Sequence, residues 1–465
     1  GSREIAIAPS GIGNGPATTS PPRSVIWAAV ALADATVKYG RQAVGSQADR
    51  RLTGHPKPGT PPGGGRPAPP RGVPNGADRR EDLRQRRGVG AHQGGGLMDA
   101  FPSSTDELTP AFLTGALRST GTIGADTTVA EVHHETIGEG VGIMGQLARL
   151  TLRYGGPATG APGSVVVKLP SHLPENRAVG EHFRFYEREG RFYEQIGGKV
   201  EVRTPRCYWN HLDPATATYG LLLEDLGGRT MISQIAGLGA GRAAQALREL
   251  AKLHAEWWAS PALDGLTWMP RLDDPVNLAA GQQYRDAWPL FVERIGDAVP
   301  AEALALGERV KEQYESLLVV GTADAPLTIC HGDFRADNLM FDDAPEAEDA
   351  IAVLDWQISF RGPAVSDVTY LLCQSMTVEE RRASEEALVR AWYDALLDAG
   401  VPQGGYPFDL AWQHHERGML AATVYPVTAM GALDAANDRG RELVANMAVR
   451  AFTAALDHDA ARFLA

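Results

Sequence analysis

The chemistry of this chain is concentrated between Ile329 and Phe341, where His331-Gly332-Asp333 is followed by Asn338, five residues after the Asp, between apolar runs. A second apolar run, Ile351-Ala352-Val353-Leu354, ends in Asp355. An Asp on a tight loop can take the proton of an attacking hydroxyl. Asn338 and Asp355 offer hard oxygen ligands that can hold Mg²⁺ against phosphates. Such a set suits phosphoryl transfer, a reaction catalysed mainly by positioning and charge stabilisation.

These residues need strands and turns to hold them. The chain alternates as strands do over 129–137, 147–154 and 165–169, and again over 202–209 and 219–223. Residues 177–196 carry helical periodicity through Phe183, Tyr186, Phe192, Tyr193 and Ile196. Beyond Leu226-Gly227-Gly228 the pattern turns helical, with long stretches at 241–258, 301–319, 378–399, 410–427 and 439–463 around the strand-like segments that flank the loop. The fold expected is α+β and bilobal: a small N-lobe of five antiparallel strands and one helix (98–223), and a larger helical C-lobe (224–465) carrying the catalytic loop at 329–341.

Residues 1–97 read differently. Between Gly54 and Gly76, 15 of 23 residues are Gly or Pro, a composition that sustains neither helix nor sheet, and Arg-rich text follows. This segment is expected to be a disordered or non-native leader. The net charge of −13 therefore conceals a basic leader and a still more acidic body, which argues against a nucleic-acid partner. Three widely spaced cysteines, Cys207, Cys330 and Cys373, argue for a reducing cytoplasm, and no apolar run is long enough to span a bilayer.

The His-Gly-Asp segment resembles the aminoglycoside/choline-kinase-like phosphotransferase superfamily, closest to its ecdysteroid-kinase-like (CHK-kinase-like) branch. Asp355-Trp356-Gln357, Gly362-Pro363 with Asp367 to Leu372, and Leu253-His254-Ala255-Glu256-Trp257-Trp258 carry the likeness. It implies a protein-kinase-like fold using ATP and Mg²⁺, with Asp333 as base and Asn338 and Asp355 as metal ligands. Arg335 stands where it could neutralise charge on the transferred group or form a surface salt bridge with Asp337. Gly140, Gly142 and Gly145 fit a phosphate-covering loop. Lys168 would reach the phosphates and pair with Glu189 of the following helix, and the backbone at Glu224 and Leu226 would read adenine. His331 reads as a structural residue bonding backbone near Asp355, and Asp367 as a brace for the catalytic loop.

The expected activity is ATP- and Mg²⁺-dependent phosphorylation of a hydroxyl on a small molecule: an aminoglycoside, amino alcohol, sugar or sterol-like alcohol. The alternative is a nucleotide-binding pseudokinase, against which stands the presence of Lys168, Asp333, Asn338 and Asp355 together. No Gly-x-x-x-x-Gly-Lys-Ser/Thr loop occurs, which removes the P-loop NTPases. For the acceptor pocket the sequence offers only candidates: Tyr284, Trp288, His414, His415, Tyr425 and Asp438.

Overall fold

The computed structural model describes residues 101–137, 145–342, 350–432 and 438–465. The leader 1–97, Gly140, Gly142 and the side chain of Asp438 lie outside what is described.

Five strands, β1 (Thr128–Thr136), β2 (Gly145–Gly155), β3 (Ser164–Pro170), β4 (Cys207–Asp213) and β5 (Thr218–Glu224), form one antiparallel sheet in the order β1-β2-β3-β5-β4. Side chains alternate across a strand. Val165, Val167 and Leu169 therefore enter one core with Leu150, Leu152 and Trp209, while Val166 and Lys168 face the other way. Helix α1 (Pro110–Ser119) covers that core with Leu113, Ala116 and Leu117. Its start carries local signals, Pro110 at the first turn and Thr109 Oγ1 accepting from the Phe112 N–H at 3.2 Å.

The helix expected over 177–196 is two helices, α2 (Pro174–His182) and α3 (Phe185–Gln195), so the N-lobe has three helices where one was expected. Arg184 between them is left-handed at φ 60°. The reversal buries both Phe183 and Phe185, stacked with centroids 5.5 Å apart. The strand expected from Val202 begins only at Cys207. Pro205 has no N–H for a ladder, and the Arg203 carbonyl is instead taken by the Val353 N–H of the other lobe at 2.8 Å.

The C-lobe is built from α4 (Ala240–Glu256), α5 (Pro275–Leu278), α6 (Ala280–Ile295), α7 (Ala301–Ala323), α8 (Val365–Ser375), α9 (Val378–Asp398), α10 (Phe408–Ala422), α11 (Val424–Ala432) and α12 (Asp438–Asp457). Pro289 sits inside α6 and obscured it in the sequence. The helix expected over 410–427 is broken at Thr423, and Pro426 falls in the first turn of α11, where a missing N–H costs little. Between the helices, β6 (Thr230–Met231), β8 (Leu339–Phe341) and β9 (Ile351–Val353) make one small sheet. Strands β7 (Leu327–Cys330) and β10 (Phe360–Pro363) make another. The result is a bilobal, protein-kinase-like fold. Among the described residues no helix is long and apolar enough to cross a membrane.

The far end of the C-lobe is tied by an ionic cluster. Glu385 of α9 meets Arg381 at 2.6 Å, His415 at 3.1 Å and His458 at 2.9 Å, while Glu416 lies 3.4 Å from His458. The hydrogen bond to Glu385 leads the causes that raise the His458 pKa above its ordinary value, against burial and the Arg381 charge. A raised histidine contributes stability fully below its unfolded pKa near 6.5 and loses it as pH rises through the higher folded value. Thermal unfolding followed from pH 6 to 9 should therefore show a decline that His458→Gln flattens; an unchanged slope in the variant would remove His458 from the cluster's energetics.

Candidate active site

The segment from His331 to Asn338 closes on itself between the small sheets. Gly332 has φ +85°, and a Cβ there would lie 2.5 Å from the Ile358 carbonyl oxygen, so only glycine fits. The Asp367 carboxylate on α8 accepts from the backbone N–H groups of His331 (2.7 Å) and Gly332 (2.9 Å), with His254 of α4 3.4 Å away. His331 bonds through Nε2 to the Leu354 carbonyl at 2.7 Å, and its Nδ1 accepts from the Asp333 N–H at 3.1 Å. The histidine thus ties the loop that carries Asp333 to the strand end that carries Asp355.

Asp333 is buried, 1 % exposed, with its carboxylate held from both sides. Asn338 Nδ2 donates to Oδ2 at 2.9 Å and Tyr370 Oη to Oδ1 at 2.8 Å, while Arg335 Nε lies 3.0 Å from Oδ1. Arg335 is fully buried, so the surface salt bridge expected with Asp337 is an interior one, at 3.2 Å. Burial opposes its charge, but Asp333 and Asp337 outweigh burial and hold its pKa above the ordinary value. Its Nη2 has no hydrogen-bond partner, and its Nε meets Asp333 as an ion pair without a hydrogen bond.

Lys168 of β3 carries its ammonium to the opposite wall, 2.7 Å from Glu189 and 2.9 Å from Asp355. Among the glutamates of the 177–196 region, Glu189 is the one facing it: Glu187 pairs with Arg184, Glu181 with Arg177, and Glu194 with Arg191. Burial pushes the Glu189 pKa up, with Lys168 and a hydrogen bond from the Trp356 backbone N–H pulling against it. Asp355 is in the left-handed region at φ 60°, a conformation that turns its side chain off the strand direction. The next residue, Trp356, stacks on Phe192 of α3 at 3.9 Å and 6°, fixing the helix that presents Glu189.

Apolar walls from Leu147, Val166, Leu223, Leu226 and Leu354 lead into this cleft, with Lys168 and Asp355 at its polar end. Glu224 pairs with Arg203 at 2.6 Å, and its N–H donates to the Arg206 carbonyl at 2.8 Å. Gly145 opens β2 opposite Pro170. The donor set also fits a hard cation. Asn338 Oδ1 is buried without a hydrogen-bond partner, and the Asp355 carboxylate supplies further oxygens.

Of the acceptor candidates, Tyr284 and Trp288 are core residues beside Phe291, His414 bonds Tyr406, and His415 bonds Thr369 and Glu385. Among the candidates whose side chains are described, Tyr425 reaches the His331–Asn338 loop, its hydroxyl 3.4 Å from the Gly332 carbonyl, and it lines a small cleft there with Leu272, Leu318 and Ile358. Two partners of the loop escaped the sequence reading. Gln234 accepts from Arg335 at 2.8 Å and donates its N–H to Asp337, across about a hundred residues, and no local signal announces it. Tyr370 was visible in principle, because it lies three residues after Asp367 and so shares its helix face.

A profile of the phosphotransferase enzyme family matches residues 158–407, more than half of the chain, and covers all the residues just described from Lys168 to Tyr370. The chain belongs to that family. The chain is similar to an uncharacterized kinase-like protein of Caenorhabditis elegans, 26% identical over 196 residues, 41% of this chain and 50% of that protein. The chain spans about half or less of the length of the curated relatives it matches. Solved structures of similar shape include a choline kinase from Cryptosporidium parvum (12% identity, TM-score 0.47, 76% of this chain and 95% of that one). Another is an ethanolamine kinase from Plasmodium vivax (12% identity, TM-score 0.45, 83% and 95%).

Removing the cation should expose how strained this cleft is. Lys168→Met leaves Glu189 and Asp355 facing each other, and breaking a buried pair on one side costs about 3–5 kcal/mol. Denaturant unfolding should show that loss, with Lys168→Met/Glu189→Gln recovering part of it. Equal stability of wild type and Lys168→Met would mean that the ion pairs contribute nothing.

Proposed function

We propose that the chain is an ATP- and Mg²⁺-dependent kinase that moves the γ-phosphoryl group of ATP to a hydroxyl of a small molecule. The observation that carries the reading is the pairing of a partly buried Lys168 with Glu189 and Asp355, together with an Asn338 whose buried Oδ1 lacks a partner. Residues 98–223 serve as the nucleotide lobe and 224–465 as the lobe that carries the catalytic loop, 329–341. The leader, 1–97, takes no part in the chemistry.

In this reading the adenine enters between Val166 and Leu226, its edge read by backbone at Glu224 and Leu226, with Gly140, Gly142 and Gly145 covering the phosphates. Lys168 binds the α/β-phosphates and Glu189 orients Lys168. Asn338 and Asp355 would hold Mg²⁺, which neutralises phosphate charge when bound. Asp333 accepts the proton of the acceptor hydroxyl. Arg335 lends positive charge to the transferred group through the Nη2 that has no other partner. Each group needed for transfer has a residue, which disfavours a pseudokinase. The three buried cysteines are free thiols, as suits a cytoplasmic protein.

A screen of hydroxyl-bearing metabolites and antibiotics for acceptor-dependent ADP release tests the reading. With the acceptor found, Asp333→Ala should lower single-turnover transfer by about 10²–10⁴ while nucleotide binding stays near wild type. Transfer at the wild-type rate would take Asp333 out of the mechanism, and loss of nucleotide binding would assign it to the wrong substrate.

A further inference from the structure

Three side chains meet the Asp333 carboxylate, and one of them, Tyr370, comes from outside the catalytic loop. Its ring is buried, 3 % exposed, on α8, the helix whose Asp367 already holds the loop's backbone. The Tyr370 hydroxyl donates to Asp333 Oδ1 at 2.8 Å, the same oxygen that Arg335 Nε approaches at 3.0 Å. Asn338 donates to Oδ2. A carboxylate offers about four lone-pair directions. The Tyr370 hydrogen bond and the Arg335 charge both act on Oδ1, whereas Oδ2 takes a single hydrogen bond from a neutral amide and so keeps the more basic open lone pair.

We propose that Tyr370 is a positioning residue: by anchoring Oδ1 beside the Arg335 cation, it fixes the rotation of the carboxylate and turns the open Oδ2 lone pair toward the acceptor hydroxyl. The inference rests on the reading of Asp333 as the base. Only the lone pair that takes the proton is newly assigned; the proton still passes from the acceptor hydroxyl to Asp333 as its oxygen attacks phosphorus. Tyr425 supports the arrangement from behind. Its ring lies 4.2 Å from that of Tyr370, its hydroxyl reaches the Gly332 carbonyl, and it forms part of the small cleft beside the loop. One pair of rings, tilted by 48°, therefore joins the wall of that cleft to the Asp333 carboxylate. Asn338 works on the other oxygen, its two Nδ2 hydrogens going to Asp333 Oδ2 and to the Asp333 carbonyl.

Tyr370→Phe removes the hydroxyl and keeps the ring. Its crystal structure should show the Asp333 carboxylate rotated about its terminal torsion, with an unchanged fold and a melting temperature only a few degrees lower, the effect of one lost buried hydrogen bond. Single-turnover hydrolysis of Mg-ATP, with water as the acceptor, should slow by about 10–10²-fold, the scale of a misplaced catalytic group. KM for Mg-ATP should hold. In an Asp333→Ala background the same substitution should have no further effect. An unmoved carboxylate, or a slowing that persists without Asp333, would overturn the inference while leaving Asp333 as base. An Asp333→Ala protein that hydrolyses ATP at the wild-type rate would instead overturn the reading beneath it.

Discussion

The Lys168 ammonium is the point on which the two lobes agree. A cation on an apolar strand, with little access to water, is tolerated only where opposite charge surrounds it. Here the charge comes from two other elements: Glu189 on α3 and Asp355 after β9. The ion pairs therefore require β3, α3 and the catalytic segment of the C-lobe to stand in one arrangement. Trp356, stacked on Phe192, enforces the same arrangement through apolar contact, so that packing and charge point the same way.

Opposite this triplet, the catalytic loop is fixed by groups that are themselves buried. Asp367 holds two backbone N–H groups, Gly332 supplies the positive φ, and His331 bridges to Leu354. Asp333, Arg335, Asp337 and Gln234 then form a closed polar network in which most charges have a partner at hydrogen-bond distance. The exceptions are informative. Asn338 Oδ1 and Arg335 Nη2 are buried atoms without partners, and desolvated groups left unpaired cost about 1–3 kcal/mol each. A site that binds a metal and phosphates would satisfy both.

Much of this was legible because its signals are local. Alternation defined β1, β2, β3 and β5, and the spacing from His331 to Asn338 marked the loop before any fold was known. Lys168 announced itself as a charge in a valine run. Periodicity failed where packing overrode it: the left-handed turn at Arg184 that buries Phe183 and Phe185, the break at Thr423 ahead of Pro426, and Pro289 within α6. Long-range partners were hidden for a different reason. Nothing near Gln234 says that it will meet Arg335, and the hydroxyl of Tyr370 finds Asp333 only because α8 packs behind the loop. Charge on Arg335 suggested a surface pair with Asp337, whereas the loop carries both inside.

In the proposed mechanism Asp355 belongs to a metal-nucleotide site and not merely to a structural ion pair with Lys168. Calorimetric titration of ATP into wild type and Asp355→Asn, each with and without Mg²⁺, measures this directly. The account predicts that Mg²⁺ strengthens binding to the wild type and that the carboxamide loses most of that gain, because a charged hard-oxygen ligand has become a neutral one. The same Mg²⁺ dependence in both proteins would contradict it.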